Sequence, residues 1–469
     1  MSKKMILLLA VSAAASLGLT AGDAAQETRL DGPKPLVLEH AAVFEGRTGQ
    51  FRPGRTLVIE KGLIVGEFAS GQKSVPAGAE TLDLSGKFVI PGLIDTHVHI
   101  ASDPSGFDRR DRVEQALLKA LRGGVTFLRD MAGDGRALAD LNRAIAAGDI
   151  VAPGLRYGAL MAGPGFFSDP KTIMSSKGET SGRTPWGRAV TDSTDLVLAV
   201  AEAHGTGASA IKVYREVAPA LLARIVAEAH RQGMAVWSHA TIYPSKPLDA
   251  VNAGVDIISH ADQLIWEAMP DFNPDPADRR AYMALLKRAR EQAPSTVSAD
   301  HPAVVSLLKR MKERGTILDA TVCFLRDMVA MAEKERPQLL PLALARADFA
   351  YAVTRKAHEL GVEVSAGTDG LFDDDDPPLP ALHRELAVLV ENCGFTPAEA
   401  LRAATEISAR ALGIANTHGS IEPGRAADLV ILKADPTADI RNSTAIELVI
   451  KSGRIVPKEG SNAQTPKLG

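Results

Sequence analysis

Six residues, scattered over more than half of a 469-residue chain, are of types that hold a cation or move a proton: His97, His99, Lys212, His239, His260 and Asp369. His97 and His99 lie two apart in Ile94-Asp95-Thr96-His97-Val98-His99. In an extended strand that spacing turns both imidazoles to one face. Lys212 sits in Ala210-Ile211-Lys212-Val213-Tyr214, where the flanking Ile211 and Val213 take the opposite face and Tyr214 shares that of Lys212. His239 and His260 each close a short apolar run, and Ser365, Gly367 and Asp369 share one face of another. Taken singly, each has an ordinary explanation. A buried histidine is most often a hydrogen-bonded core residue, a lysine at a strand end a solvated cation, and an Asp after Gly-Thr a helix cap. Taken together, six ionisable groups on one face need a counterpart, because burying them uncompensated is prohibitively costly. A divalent metal site is the expected counterpart, and imidazole with carboxylate suits Zn2+ and similar ions.

The elements that must position these groups follow from hydrophobic periodicity. Eight short β-type runs are expected at Phe88–His99, Val125–Arg129, Leu155–Met161, Ala210–Tyr214, Ala235–His239, Asp256–His260, Thr316–Thr321 and Val362–Asp369. Amphipathic helical patterns, such as Val113–Arg122 and Pro219–Gln232, alternate with them. This is the pattern of an α/β protein with a parallel sheet, and eight units over residues 91–415 predict a (β/α)8 TIM barrel with insertions. The chemistry-bearing residues then fall at the C-terminal ends of strands one, four, five, six and eight, the rim where barrel enzymes build their sites. An open doubly wound sheet is the competing architecture. It calls for a glycine fingerprint after its first strand, whereas Gly123-Gly124 precedes a strand. Short strand patterns at residues 33–90 and 416–457 are too few on either side to bury a sheet alone, so both chain ends are expected to build one small β-sandwich. Residues 458–469 read as a flexible polar tail.

Composition narrows the remaining classes. Hydrophobic residues make up 45% and charged residues 23%, which excludes wholesale disorder. A net charge of −4 argues against a nucleic-acid partner. The two cysteines, Cys323 and Cys393, are too few for a disulfide scaffold or a thiolate zinc cluster. Lys3 and Lys4 precede an apolar run from Met5 to Leu19, followed by small residues through Ala24. Residues 1–24 therefore read as a secretory signal peptide, giving a periplasmic protein with no membrane attachment after cleavage.

The constellation resembles the amidohydrolase superfamily, whose marks are His-x-His after strand one, Lys after four, His after five and six, and Asp after eight. It is most similar to the imidazolonepropionase-like branch that includes Xaa-Pro and Xaa-Arg dipeptidases. The likeness runs from Val89-Ile90-Pro91-Gly92-Leu93-Ile94-Asp95-Thr96-His97 to Gly419-Ser420-Ile421-Glu422-Pro423-Gly424-Arg425-Ala426-Ala427-Asp428-Leu429. One departure is Trp237, where many relatives carry a further His two residues before the strand-five ligand. The resemblance implies that Lys212 carries a CO2-derived carbamate bridging two Zn2+ ions. One ion would take His97, His99 and Asp369, the other His239 and His260. It also implies that Asp369 is the catalytic proton acceptor for a metal-activated hydroxide. A mononuclear site on His97, His99, His239 and Asp369, as in the superfamily's deaminases, is the alternative. Those relatives usually place a Glu near strand five, where this chain has Ala240-Thr241-Ile242-Tyr243-Pro244.

The leading expectation is a metal-dependent hydrolase of a C–N bond, cutting either a peptide-like C-terminal residue, as a dipeptidase or carboxypeptidase does, or a small cyclic amide. Deaminase, lactonase, esterase or phosphotriesterase chemistry on the same site, and a non-catalytic barrel, are the alternatives. Tyr214 is a candidate substrate donor and Arg215 a candidate carboxylate contact. Asp373–Asp376 reads as a solvated acidic loop, and residues 163–192 as a candidate lid. Cys323 follows strand seven and is expected to pack; His204, His230, His301, His358 and His383 are left as structural. A homo-oligomer is compatible with all of this.

Overall fold

The computed structural model describes residues 34–72, 75–101, 110–269, 284, 287, 296–370 and 379–458. The expected signal segment, Asp373–Asp376 and all but the first residue of the 458–469 tail lie outside them. Among the described residues, no helix is long and apolar enough to cross a membrane.

Five strands open the described chain: β1 (Leu36–Glu45), β2 (Gln50–Glu60), β3 (Leu63–Ala69), β4 (Glu80–Asp83) and β5 (Phe88–Pro91). The barrel strands are β6 (Leu93–Val98), β7 (Val125–Asp130), β8 (Gly154–Ala162), β11 (Ala210–Val213), β12 (Ala235–His239), β13 (Ile257–Ser259), β14 (Ile317–Asp319) and β15 (Val364–Ser365). Between β8 and β11 come β9 (Arg183–Thr184) and β10 (Gly187–Ala189), and the chain closes with β16 (Leu429–Leu432), β17 (Ile446–Lys451) and β18 (Arg454–Ile455).

The eight barrel strands pair in parallel and in chain order. Strand one meets strand eight through a bridge from Val98 to Gly370 and through the Thr96 N–H bond to the Ala366 carbonyl at 3.0 Å. Every residue of β6, β7, β11, β13, β14 and β15 is buried, because helices cover one side and the barrel interior the other. That explains why the strands are continuous apolar runs punctuated by single polar residues.

All eight expected barrel strands are present: β12 has the expected bounds, β7 and β8 run slightly past them, and the other five are shorter. The first one expected, Phe88–His99, is two strands: β5 belongs to the other sheet and β6 to the barrel. The break falls at Gly92, whose N–H bonds the Asp428 carbonyl at 2.8 Å. A Cβ on Gly92 would overlap the Thr126 side chain of β7. We therefore expect Gly92→Ala to destabilise the protein by about 1–3 kcal/mol, the usual cost of overpacking a filled interior. Urea unfolding measures this, and an unchanged midpoint would count against the close packing.

The second sheet runs in the order β18-β17-β16-β5-β1-β2-β3, with β4 beside β1, so both chain ends build it as expected. It curls over on itself. Ile64 of β3 donates to the Arg425 carbonyl at 2.9 Å, and Gly424 returns a bond to the Ile64 carbonyl at 2.7 Å. Leu38, Val43, Leu57, Ile59, Ile64, Val89, Leu429, Ile431 and Ile450 fill the enclosed space as a sandwich core. On the outer side Val430 and Leu432 join the barrel's apolar core. His383, read as structural, locks that contact. Its Nδ1 lies 2.9 Å from Ser443 Oγ and its Nε2 2.9 Å from the Gly123 carbonyl.

Candidate metal centre

The parity argument holds at the rim. His97 is the fifth residue of β6, with His99 just past its end; Lys212 is the third of β11; His239 ends β12; His260 follows β13; Asp369 lies four residues beyond β15. Asp369 Oδ1 lies 3.3 Å from His97 Nε2 and 3.2 Å from His99 Nε2. One donor atom from each of these three residues falls within 4.8 Å of the others. The line of rings continues round the rim, with centroids 4.8 Å apart from His97 to His260, 4.6 Å from His260 to His239, and 4.3 Å from His239 to Tyr214. Lys212, 2% exposed, points its Nζ to Ser259 Oγ at 3.4 Å. His260 and Asp369 take left-handed backbone angles, φ 76° and 54°, which non-glycine residues adopt at a cost of order 1–3 kcal/mol. The strand ends bend there, and the side chains turn toward the axis.

Strand seven supplies the residue that the sequence reading missed. Asp319 ends β14, is fully buried, and receives only donors. Its Oδ2 accepts from His97 Nδ1 at 2.7 Å, Arg129 Nη2 at 2.9 Å and Ser259 Oγ at 2.9 Å, and its Oδ1 from Thr96 Oγ1 at 2.9 Å. The signal was present: a lone carboxylate closing Thr316-Ile317-Leu318-Asp319, in register with Ser259, the residue before His260 on strand six. Arg129, also unassigned from sequence, is fully buried at the end of β7, bonds the Thr96 carbonyl, and lies over the Trp237 ring at 4.8 Å. Trp237 thus fills the interior layer below the rim. Gly158 makes room for it, since a Cβ there would stand 3.3 Å from the indole and 3.4 Å from Lys212 Cβ. Asp95 ties strand one to strand eight, accepting from His97 N at 3.0 Å and from Thr368 Oγ1 at 2.8 Å.

The electrostatics suit a cation. Burial lowers the basicity of His97, His239 and His260, the last to about 4, so near neutrality each ring is uncharged and offers a lone pair. Burial alone would raise the Asp369 carboxyl, but the surrounding imidazoles outweigh it and hold Asp369 below the usual carboxylate range. Burial, assisted by the Arg129 charge, brings Lys212 down to about 7. The Nδ1–H of His97 is committed to Asp319, leaving Nε2 toward Asp369. That carboxylate–imidazole arrangement orients metal ligands elsewhere. The donor set therefore fits a divalent ion. A separate cavity of about 1100 Å³, lined by Arg156, Asp256, Trp237 and Arg410, opens at the opposite ends of the strands, away from these groups.

Cys323 packs as expected, buried with its Sγ 3.8 Å from the Thr368 carbonyl. The candidate lid, residues 163–192, holds short helices at Pro164–Ser168 and Pro170–Met174 and the β9–β10 pair.

A parallel eight-stranded barrel with imidazoles and a carboxylate gathered at its C-terminal rim defines a class, the barrel hydrolases. The comparisons narrow it: the amidohydrolase family model matches residues 88–456, and the chain belongs to that family. It is 25% identical over 415 residues to the imidazolonepropionase of Thermoplasma acidophilum, covering 85% of this chain and 89% of that one. The match to the imidazolonepropionase of Geobacillus thermodenitrificans is 34% identical over 172 residues and spans 35% of each chain. The ochratoxinase of Aspergillus niger is 26% identical over 417 residues, covering 79% of this chain and 76% of the other. The crystal structure of A. niger ochratoxinase superposes with a TM-score of 0.69 at 22% identity, over 93% of this chain and all of that one, which speaks to the fold. A Xaa-Pro dipeptidase structure does likewise, with a TM-score of 0.69 at 22% identity over 90% and 99%.

Proposed function

We propose that this enzyme hydrolyses a C–N amide bond of a small molecule, using two Zn2+ ions and a carbamate on Lys212. The observation that carries the reading is the clustering of His97, His99 and Asp369 within 4.8 Å, with His260, His239 and Lys212 continuing round the same rim. His97, His99 and Asp369 would hold one ion, and His239 and His260 the other, with modified Lys212 shared between them. Bound there, the ions would supply Lewis acidity and a more acidic water.

The chain's own groups do the rest. Water adds its oxygen to the amide carbonyl carbon while Asp369 takes one of its protons. Oδ1 faces the His97 and His99 rings at 3.3 and 3.2 Å, so Oδ2 would be the atom that carries the proton. Asp369 then passes it to the amine nitrogen as the C–N bond breaks, leaving a carboxylic acid and an amine. Tyr214, its ring against His239, would donate its hydroxyl to a substrate oxygen. Deep burial and a lowered basicity suit Lys212 to the carbamate, since the neutral amine is the form that captures CO2. Ser259, Arg129 and Asp319 supply the polar wall behind it.

Metal analysis with intact-mass measurement tests the scheme. We expect two zinc ions per chain and a mass increment of one CO2 that is lost on Lys212→Ala. Chelation should abolish amide turnover and zinc with bicarbonate should restore it. One tightly held ion with an unmodified lysine would favour the mononuclear alternative. We also propose that residues 1–24 direct export to the periplasm, which the N-terminal sequence of protein recovered from that compartment tests.

A further inference from the structure

The cavity at the N-terminal ends of the barrel strands has no part in the scheme above. Its volume of about 1100 Å³ is ample for a small-molecule site, most of which measure about 300–1000 Å³. Trp237 lines it and also belongs to the wall behind the metal centre, where the Arg129 guanidinium lies 4.8 Å from its ring centroid. The indole is 1% exposed, and its Nε1 has no acceptor among the described residues. The ring carbons nearest Gly158, Cε3 and Cζ3, are on the edge opposite Nε1, and Arg129 takes one face. That leaves the N–H edge for the cavity. An indole N–H only donates, so whatever completes it must bring an acceptor. The inner wall beside it is apolar, with Ile257, Ile317 and Leu412 all buried.

The mouth has the opposite character. Both acids that line it are already engaged. Asp256 accepts from Val236 N at 2.7 Å and lies 3.0 Å from His230 Nε2, and Glu363 accepts from Arg410 Nε at 3.1 Å. Arg156 and Arg314 also line the mouth, are exposed, and make no ion pair among the described residues. Arg314 donates Nη2 to the Asn252 carbonyl at 3.0 Å, at the end of a neighbouring helix. A guanidinium has five N–H donors, so that bond leaves most of them for a ligand. The entrance is open, since a Cβ added at Gly233, Gly315 or Gly413 would meet nothing within 4 Å. An apolar throat between a buried unsatisfied donor and two arginines without counter-charges favours a ligand with matching ends. Such a ligand has an apolar body, an acceptor at one end and an anion at the other.

We propose that this cavity is a second ligand site, distinct from the metal centre, for a small aromatic acid that carries an oxygen opposite its anionic group. The oxygen accepts from Trp237 Nε1, and the anion meets Arg156 and Arg314. The proposal does not depend on which reaction the metal centre catalyses. The test is calorimetric titration of the zinc-loaded enzyme with 4-hydroxyphenylacetate, with its uncharged carboxamide, and with phenylacetate, which lacks the hydroxyl. The wild type should bind 4-hydroxyphenylacetate about 10-fold more tightly than the carboxamide, in the range of a charge-assisted hydrogen bond. It should favour it over phenylacetate by about 3-fold, in the range of a neutral one. Arg156→Gln combined with Arg314→Gln should lose the first preference and keep the second. Trp237→Phe should do the reverse, with melting temperatures confirming that each variant folds. The arginine pair is exposed and decides the matter even if the Trp237 variant does not fold. An acid held at the metal rim would be indifferent to Arg156 and Arg314, at the other ends of the strands. A wild type that does not bind the acid or does not favour it over the carboxamide therefore overturns the assignment. So does a charge preference that survives in the arginine variant, or a hydroxyl preference that survives in a folded Trp237→Phe.

Discussion

Asp369→Asn is expected to lower kcat by about 10³-fold, in the range that a positioned proton acceptor contributes. The isosteric amide keeps an oxygen that can face His97 Nε2 and His99 Nε2, now 3.3 and 3.2 Å from Oδ1, so the variant should retain at least part of its metal. What it loses is the ability to accept a proton from water and release it to the leaving amine. The native carboxyl is ionised throughout the neutral range because the imidazoles outweigh the effect of burial. Turnover and metal content should therefore separate. A variant with near-native kcat would remove Asp369 from the proton path, and one with no metal at all would recast it as mainly a ligand. Metal analysis alongside steady-state kinetics reads both quantities from one preparation.

Asp319→Asn is expected to be the most disruptive single substitution in the wall behind the site. Every group that meets this carboxylate is a donor: His97 Nδ1, Arg129 Nη2, Ser259 Oγ and Thr96 Oγ1. An amide nitrogen in place of either oxygen would face at least one of those donors, and the fully buried Arg129 would lose its counter-charge. Breaking a buried ion pair from one side costs about 3–5 kcal/mol. Loss of the His97 orientation should weaken zinc binding by about 10–100-fold. Urea unfolding and zinc competition against a chromophoric chelator measure the two effects. A stability change below about 1 kcal/mol would show that Arg129 and His97 do not depend on Asp319.

The legibility of this chain had a physical basis. Alternating β and α periodicity marked all eight barrel strands, and two-residue spacing put His97 beside His99 and Lys212 opposite Ile211, because strand geometry is local. The joining of Phe88–Pro91 to strands beyond residue 428 was also foreseeable, since neither group could bury a sheet face alone. Asp319 was not recognised, because an acid ending an apolar run looks the same whether it caps a helix or anchors three strands. Arg129 was hidden for a similar reason: an arginine at a strand end is ordinarily solvated, and its burial depends on Trp237 and Asp319, 108 and 190 positions away in the chain.

The sequence by itself determined the alternation of elements, the face each chemical residue takes on its own strand, and the donor types in the set, because side-chain parity and donor chemistry are properties of short segments. Tertiary structure alone decided which tips meet. Closure of strand one on strand eight brings Asp369 to His97 and His99, the carboxylate of strand seven fixes the ring of His97, and the loops after strands three and five hold the turn after strand four, with Arg215 over the Tyr214 and Phe166 rings. Those contacts join residues far apart in the chain, and no local preference encodes them; they exist only once the barrel is closed and water is excluded from its interior.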